Sequence, residues 1–213
     1  MDLQKINVKF FAVEKKPLPL TDFIDIFHAW IQATDGVYHD VADYSHMQAG
    51  PGIVLVANDA NVSIDETENR RGLLFSQKSG LSGSNQEKLR IVLGSALENC
   101  RRLEQEPALR GKLKFSGNEV LISVNDRLAA PNTDESFQGI RSEIEALAKT
   151  LYGGGEVAFE RDQDPRKRLN VHIRTSRSID LEKLLSNLQN NLAEEEKSGL
   201  FKHARSTRDG NHC

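Results

Sequence analysis

Runs of alternating hydrophobicity and runs of helical spacing take turns along this chain. That alternation confines it to folds in which helices pack on a sheet. Ile6, Val8 and Phe10 alternate with Lys5, Asn7 and Lys9, the pattern of a half-buried strand. Pro17 and Pro19 break it. Leu20, Phe23, Ile24, Phe27 and Ile31 then recur at helical spacing, with Thr21 as the expected cap and Trp30 bordering the stripe. No other helix carries as much aromatic surface, so this one is expected to anchor the core. Val37 to Tyr44 reads as a strand, and "GPG" at Gly50 to Gly52 as a turn. Ile53 to Ala57 is continuously apolar, which predicts a central strand covered on both faces. Asn58 to Asn69 is rich in Asn and Asp and reads as a loop. Gly72 to Ser76 reads as a short strand, and "SQKSGLSGSN" as a Gly/Ser loop.

Ser84 and Glu87 have the spacing of a capping box. Behind them Leu89, Val92, Leu93, Ala96, Leu97 and Cys100 form a helical stripe, with Cys100 as a small core residue. Lys112 to Ser116 and Glu119 to Val124 read as two strands, with Gly117-Asn118 as the hairpin turn between them. Thr133 or Asn132 caps a third helix. Phe137, Ile140, Ile144, Leu147 and Leu151 line its buried face, and Gly153 to Gly155 end it. A second hairpin pairs Glu156 to Glu160 with Leu169 to Arg174, and a last helix runs from Ile179 to Leu192. The order β-α-β-β-β-α-β-β-α-β-β-α predicts an α+β protein with helices on a mainly antiparallel sheet. The section from Lys5 to Ser116 is compatible with a ferredoxin-like βαββ…αβ unit holding an extra strand, extended by hairpin–helix–hairpin–helix. Residues 1–194 are expected to form one domain, with 1–107 and 108–194 as possible sub-halves, and the charged tail 195–213 to be disordered.

The net charge of −3 shows no general basic excess, so nucleic acid is not an expected partner. No apolar run approaches the roughly 20 residues of a membrane span. Lys5 and Lys9 interrupt the N-terminal apolar pattern, which therefore does not read as a secretory signal. Cys100 and Cys213 have no CxxC partner and predict no disulfide framework. A cytoplasmic setting is expected.

The densest polar segment is "YHDVADYSHM". On a regular strand Val37, His39, Val41 and Asp43 share a face, which the valines aim at the core. A turn after Tyr44 would let Asp43 orient the imidazole of His46 as an acid–base pair. The competing expectation is that Asp43 caps the turn and His46 is solvated. His28, His39, His46, Asp59 and Asp65 are metal-ligating types without a metal-binding spacing, so no metal and no cofactor is expected. The loop "KSGLSGSNQEK" precedes a helix start and is a candidate anion site, with Lys78, Ser82, Gly83 and Ser84 as its frame and Arg70 and Arg71 adding charge. It lacks both common nucleotide-loop spacings. "RDQDPRKRL", from Arg161 to Leu169, reads as a solvated hairpin tip whose Asp162 and Asp164 offset its basic residues. His172 is expected to face outward. His203 and His212 fall in the tail.

No spacing here identifies a reaction. The expectation is a non-catalytic binding or assembly protein whose strand edges recruit a protein partner or a second copy. The alternative is an enzyme acting on a small phosphate- or carboxylate-bearing substrate, with Asp43 and His46 as its catalytic pair. That alternative requires the pair and the 78–84 loop to share a pocket.

Overall fold

A computed structural model describes residues 1–190. Its strands are β1 (Ile6–Glu14), β2 (Tyr38–Tyr44), β3 (Gly52–Ala57), β4 (Ala60–Asp65), β5 (Gly72–Gln77), β6 (Leu113–Val124), β7 (Ala158–Arg161) and β8 (Leu169–Arg174). Its helices are α1 (Asp22–Ala33), α2 (Asn85–Gln105), α3 (Asp134–Tyr152) and α4 (181–190). The end of the last helix expected at Leu192, the 195–213 tail, His203, His212 and Cys213 lie outside the described residues. No helix among the described residues is long and apolar enough to cross a membrane.

The α+β class holds. All eight strands form one antiparallel sheet in the order β2-β3-β4-β5-β1-β6-β8-β7. The two halves have one plan: a central strand, a helix, a meander returning to the flank of that strand, and a second helix. β1 and β6 are the central strands, and they pair with each other. The ferredoxin-like arrangement expected from Lys5 to Ser116 is not confirmed, because β2 to β5 lie as four consecutive neighbours and only β5 reaches β1. A split βαβ unit occurs in the second half instead, where β8 lies between the parallel strands β6 and β7.

The core lies between the sheet and the helices. Ile6, Val8 and Phe10 of β1, Val120 and Ile122 of β6, and Leu89, Val92, Leu93 and Leu97 of α2 are all fully buried there. Cys100 belongs to this layer, where burial pushes its thiol well up from the ordinary range. α1 turns Phe23, Ile26, Phe27 and Trp30 inward, so Trp30 is part of the stripe and not its border. Trp30 donates to Glu106 at 2.6 Å and carries the Arg102 guanidinium 3.7 Å over its ring. Thr21 makes no side-chain cap. Ser84 does, in a complete capping box with Glu87, and Thr133 accepts from the amide of Ser136.

Four further expectations are corrected. The stretch 60–65 is not loop but β4, whose Val62 and Ile64 enter the core while Asn61, Ser63 and Asp65 take the other face. β3 is one strand from the edge, not central. Gly117-Asn118 makes no hairpin. β6 runs through it unreversed, with a break in register against β1 between Phe10 and Ala12. The glycine serves a close approach, because a Cβ there would stand 1.9 Å from the carbonyl oxygen of Ile179. Finally, His39 and Asp43 are exposed, as is His28. β2 is an edge strand, and a register shift between Tyr38 and Asp40 takes His39 out of the ladder.

Candidate functional site

Antiparallel pairing puts directly opposed residues on the same face of the sheet. On the face away from the helices, the register lines up Asn61 of β4, Ser76 of β5, Asn7 of β1, Ser123 of β6 and Asn170 of β8. Five neighbouring strands thus contribute one amide or hydroxyl each to a single transverse row. At about 4.8 Å per strand the row spans roughly 19 Å. The next row is Ser63, Leu74, Lys9, Leu121 and His172.

This face is not open water. The tip between β7 and β8 arches over it from one end of the sheet and meets the β4–β5 connection, which comes from the other. Lys167 of the tip pairs with Glu68 at 2.7 Å and with Asp162 at 2.8 Å, and these carboxylates push its pKa up. Beneath this strap Asn7 is 3% exposed and Lys9 2%. Lys5, Asn7 and Lys9 therefore do not form the solvent side that their alternation suggests: Lys5 is exposed and the other two are buried. The hairpin tip is exposed at Gln163 and from Pro165 to Arg168, as expected, and its Arg166, Lys167 and Arg168 also wall the site.

Two hollows, of about 610 and 670 Å³, lie on this face and share Asn7, Asp65, Thr67, Leu74, Asn125 and Arg168, so they form one cleft. These volumes fall in the range of small-ligand sites. Among the described residues seven basic side chains and two carboxylates line the cleft, in a chain whose net charge is −3. The strand order gathers four of those cations at one end of the sheet: Lys5 before β1, Lys78 after β5, Arg127 beyond β6 and Arg168 before β8. The polar row runs alongside that end.

On the cleft floor Lys9 Nζ pairs with Asp65, which also accepts from the Thr67 amide at 3.2 Å and the Thr67 hydroxyl at 2.6 Å. Burial pulls the Lys9 pKa down, and Asp65 offsets part of that. Two oxygens of the row remain without a partner: Oδ1 of Asn7 and Oδ1 of Asn61, both buried. Buried polar atoms in folded proteins nearly always have a partner, so two orphans facing one cavity make it a candidate site for a polar partner, water or ligand. The far end of the face is filled by its own groups. Arg70 grips Glu119 with two bonds at 2.8 and 2.9 Å and lies 3.7 Å over the Phe11 ring. Arg174 and His172 also reach Glu119, at 3.0 and 3.3 Å, and Arg70's hydrogen bonds hold the Glu119 pKa down at about 2.

The residues singled out from sequence are scattered. Asp43 accepts from the amide of Ser45 at 2.8 Å, a turn-capping bond. His46 is exposed and lies beside the Tyr44 ring, with centroids 6.4 Å apart. The paired positions Tyr44/Gly52, Ile53/Ile64 and Ile64/Leu73 put this turn at the end where β5 begins, whereas Lys78 follows the end of β5. About 20 Å therefore separates Asp43 and His46 from the 78–84 loop. In that loop Ser84 caps α2, and the Glu87 carboxylate already takes the Ser84 amide at 2.6 Å and its hydroxyl at 2.7 Å. Gly83, at φ +97°, packs against the same carboxylate, and Ser82 is exposed. Arg71 is held by Glu66, Glu14 and the Leu18 carbonyl. Of these anion candidates Lys78 alone lines the cleft.

Among the described residues no group of three His, Cys, Asp or Glu is placed to hold a metal ion. The row itself was missed, because its members lie far apart in sequence and only the register aligns them. A usable signal was present in the polar residues alternating through Asn7–Lys9 and Asn61–Asp65. Comparison of the chain with protein-family models, with curated protein sequences and with solved structures gave no match.

Proposed function

We propose that this chain is a non-catalytic binding protein that holds a small ligand in the strapped cleft on the open face of its sheet. The observation that carries this is Asn7: 3% exposed, at the middle of a five-strand polar row, with its carbonyl oxygen unpartnered beneath the strap. A protein that used this face only for stability would gain by filling it with apolar side chains. A catalytic centre built on Asp43 and His46 has no comparable support, since the pair is exposed and lies a strand length from the loop it would need.

The test is a titration of the isotopically labelled full chain with pooled small molecules, followed by amide NMR. Shifts confined to the row and the strap support the proposal. Shifts only at other surfaces, or none from any pool, would dispose of it.

A second reading has its own observation. β2 is an edge strand whose outer backbone is unpaired, and Val37, Tyr44 and Met47 beside it are exposed large apolar residues. Strand addition by a protein partner or a second copy fits that edge. Light scattering that showed a monomer at every concentration would remove the self-association branch.

A further inference from the structure

We infer that the ligand of this cleft is a polyhydroxylated anion: a sugar-like or polyol body with one phosphate or carboxylate end. This deepens the binding proposal above and rests on it. The body follows from the floor. Asn7 and Asn61 offer buried carbonyl oxygens that lack donors, and Ser76 and Ser123 stand in the same row. A hydroxyl group both donates and accepts, so a line of hydroxyls satisfies a line of amides and serines without leaving either side unpaired. The anionic end follows from the rim. Among the described residues Lys78, Arg127 and Arg168 have no carboxylate partner, and all three lie at the end of the sheet beside the row. Lys78 donates to the carbonyl of Ala57, which leaves its charge uncompensated. Paired guanidinium groups favour phosphate and carboxylate through charge-assisted hydrogen bonds.

A nucleobase is disfavoured by the same surface. Among the described residues Phe11 is the one aromatic ring lining the cleft, and its face is covered by Arg70 at 3.7 Å while His172 stacks against it at 6.2 Å. Among the described residues no free ring is left there for a base to stack on. Apolar ligands would leave the orphan oxygens of Asn7 and Asn61 buried and unpaired.

The experiment is a titration of the full chain with four probes: glucose 6-phosphate, gluconate, glucose and inorganic phosphate, read by amide and side-chain amide NMR. The expected result is that at least one of the two anionic sugars shifts Asn7, Ser76 and Ser123 and the side-chain amides of Asn7 and Asn61. Which one does so distinguishes a phosphate from a carboxylate end. Glucose and inorganic phosphate, each lacking one half of the ligand, should bind at least about tenfold more weakly. Arg127→Gln and Arg168→Gln, both at exposed positions, should each weaken the anionic sugar about tenfold and leave the spectrum of the free protein otherwise unchanged. If the pooled screen shifts the row with neutral or cationic compounds and neither anionic sugar does, the ligand class is wrong and the cleft stands. If no compound of any kind moves the row, both fail together. Equal binding of glucose and glucose 6-phosphate would overturn the role given to the rim.

Discussion

The Lys9–Asp65 pair tests the strapped face most directly. Both side chains are 3% exposed, so neither charge has water to fall back on. Replacing Asp65 by Asn leaves a buried ammonium with a weaker acceptor, and breaking a buried pair in this way costs about 3–5 kcal/mol. Lys9 limits the loss by releasing its proton. Its pKa is already depressed, and going from 10.5 to neutral pH costs at most about 5 kcal/mol. Replacing Lys9 by Met is expected to cost less, about 2–3 kcal/mol, because the Asp65 carboxylate keeps both bonds from Thr67. The double variant K9M/D65L removes both charges together and should lie within about 1 kcal/mol of the parent, since paired apolar replacement is often neutral. Urea unfolding at neutral pH, followed by circular dichroism, reads all three. Single variants that each cost under about 1 kcal/mol, or a double variant whose loss equals the sum of the singles, would mean that the pair is wet and the strap does not close the face.

Three other outcomes follow from the same structure. Glu119 has its pKa held at about 2 by Arg70, against 4.5 for the free group, so its contribution is complete above pH 4.5 and is lost as the pH falls toward 2. With allowance for screening by solvent, Glu119→Gln should lower stability by about 1–2 kcal/mol at pH 7, and the gap to the parent should close in acid titration; a gap independent of pH would refute the linkage. Gly117→Ala should cost about 3 kcal/mol or more in chemical denaturation, because the Ile179 carbonyl stands 1.9 Å from the new Cβ; a loss below 1 kcal/mol would favour an open turn there. Glu68→Lys should release the strap from Lys167 and speed amide exchange at Asn7 and Ser123, with global stability changed by less than about 1 kcal/mol; unchanged exchange would show that the strap is held by other contacts.

Helices were legible from sequence because their signals are local. The capping box at Ser84 and Glu87 and the stripe from Leu89 to Cys100 lie where spacing puts them. β4 was not, because the residues it sends to the cleft, Asn61, Ser63 and Asp65, are loop-forming types. Gly117-Asn118 misled for the opposite reason. A glycine demanded by a neighbour 62 positions further on looks the same in sequence as one demanded by a turn. The site was least legible. Asn7 meets Ser76 on one side and Ser123 on the other, and such register is fixed by long-range pairing that no window of sequence contains. Asp43 and His46 drew attention by density alone, and an edge strand then left both outside the core.

The position of β1 also governs the order in which the chain can complete itself during synthesis. The meander from β2 to β5 pairs neighbour with neighbour and can form as soon as it leaves the ribosome. β1, made before the strands it pairs with, has to wait: one flank needs β5, and the other needs β6, where Ile6 meets Val124. Until then Ile6, Val8 and Phe10 are an unsatisfied apolar edge on a growing polypeptide, the kind of surface through which nascent chains associate. Closing such distant pairs makes folding slow compared with a helical protein of this size. The cleft, whose row draws on both halves, cannot be complete before β8 is made, so a truncated chain ending before β8 would carry the meander without the whole row.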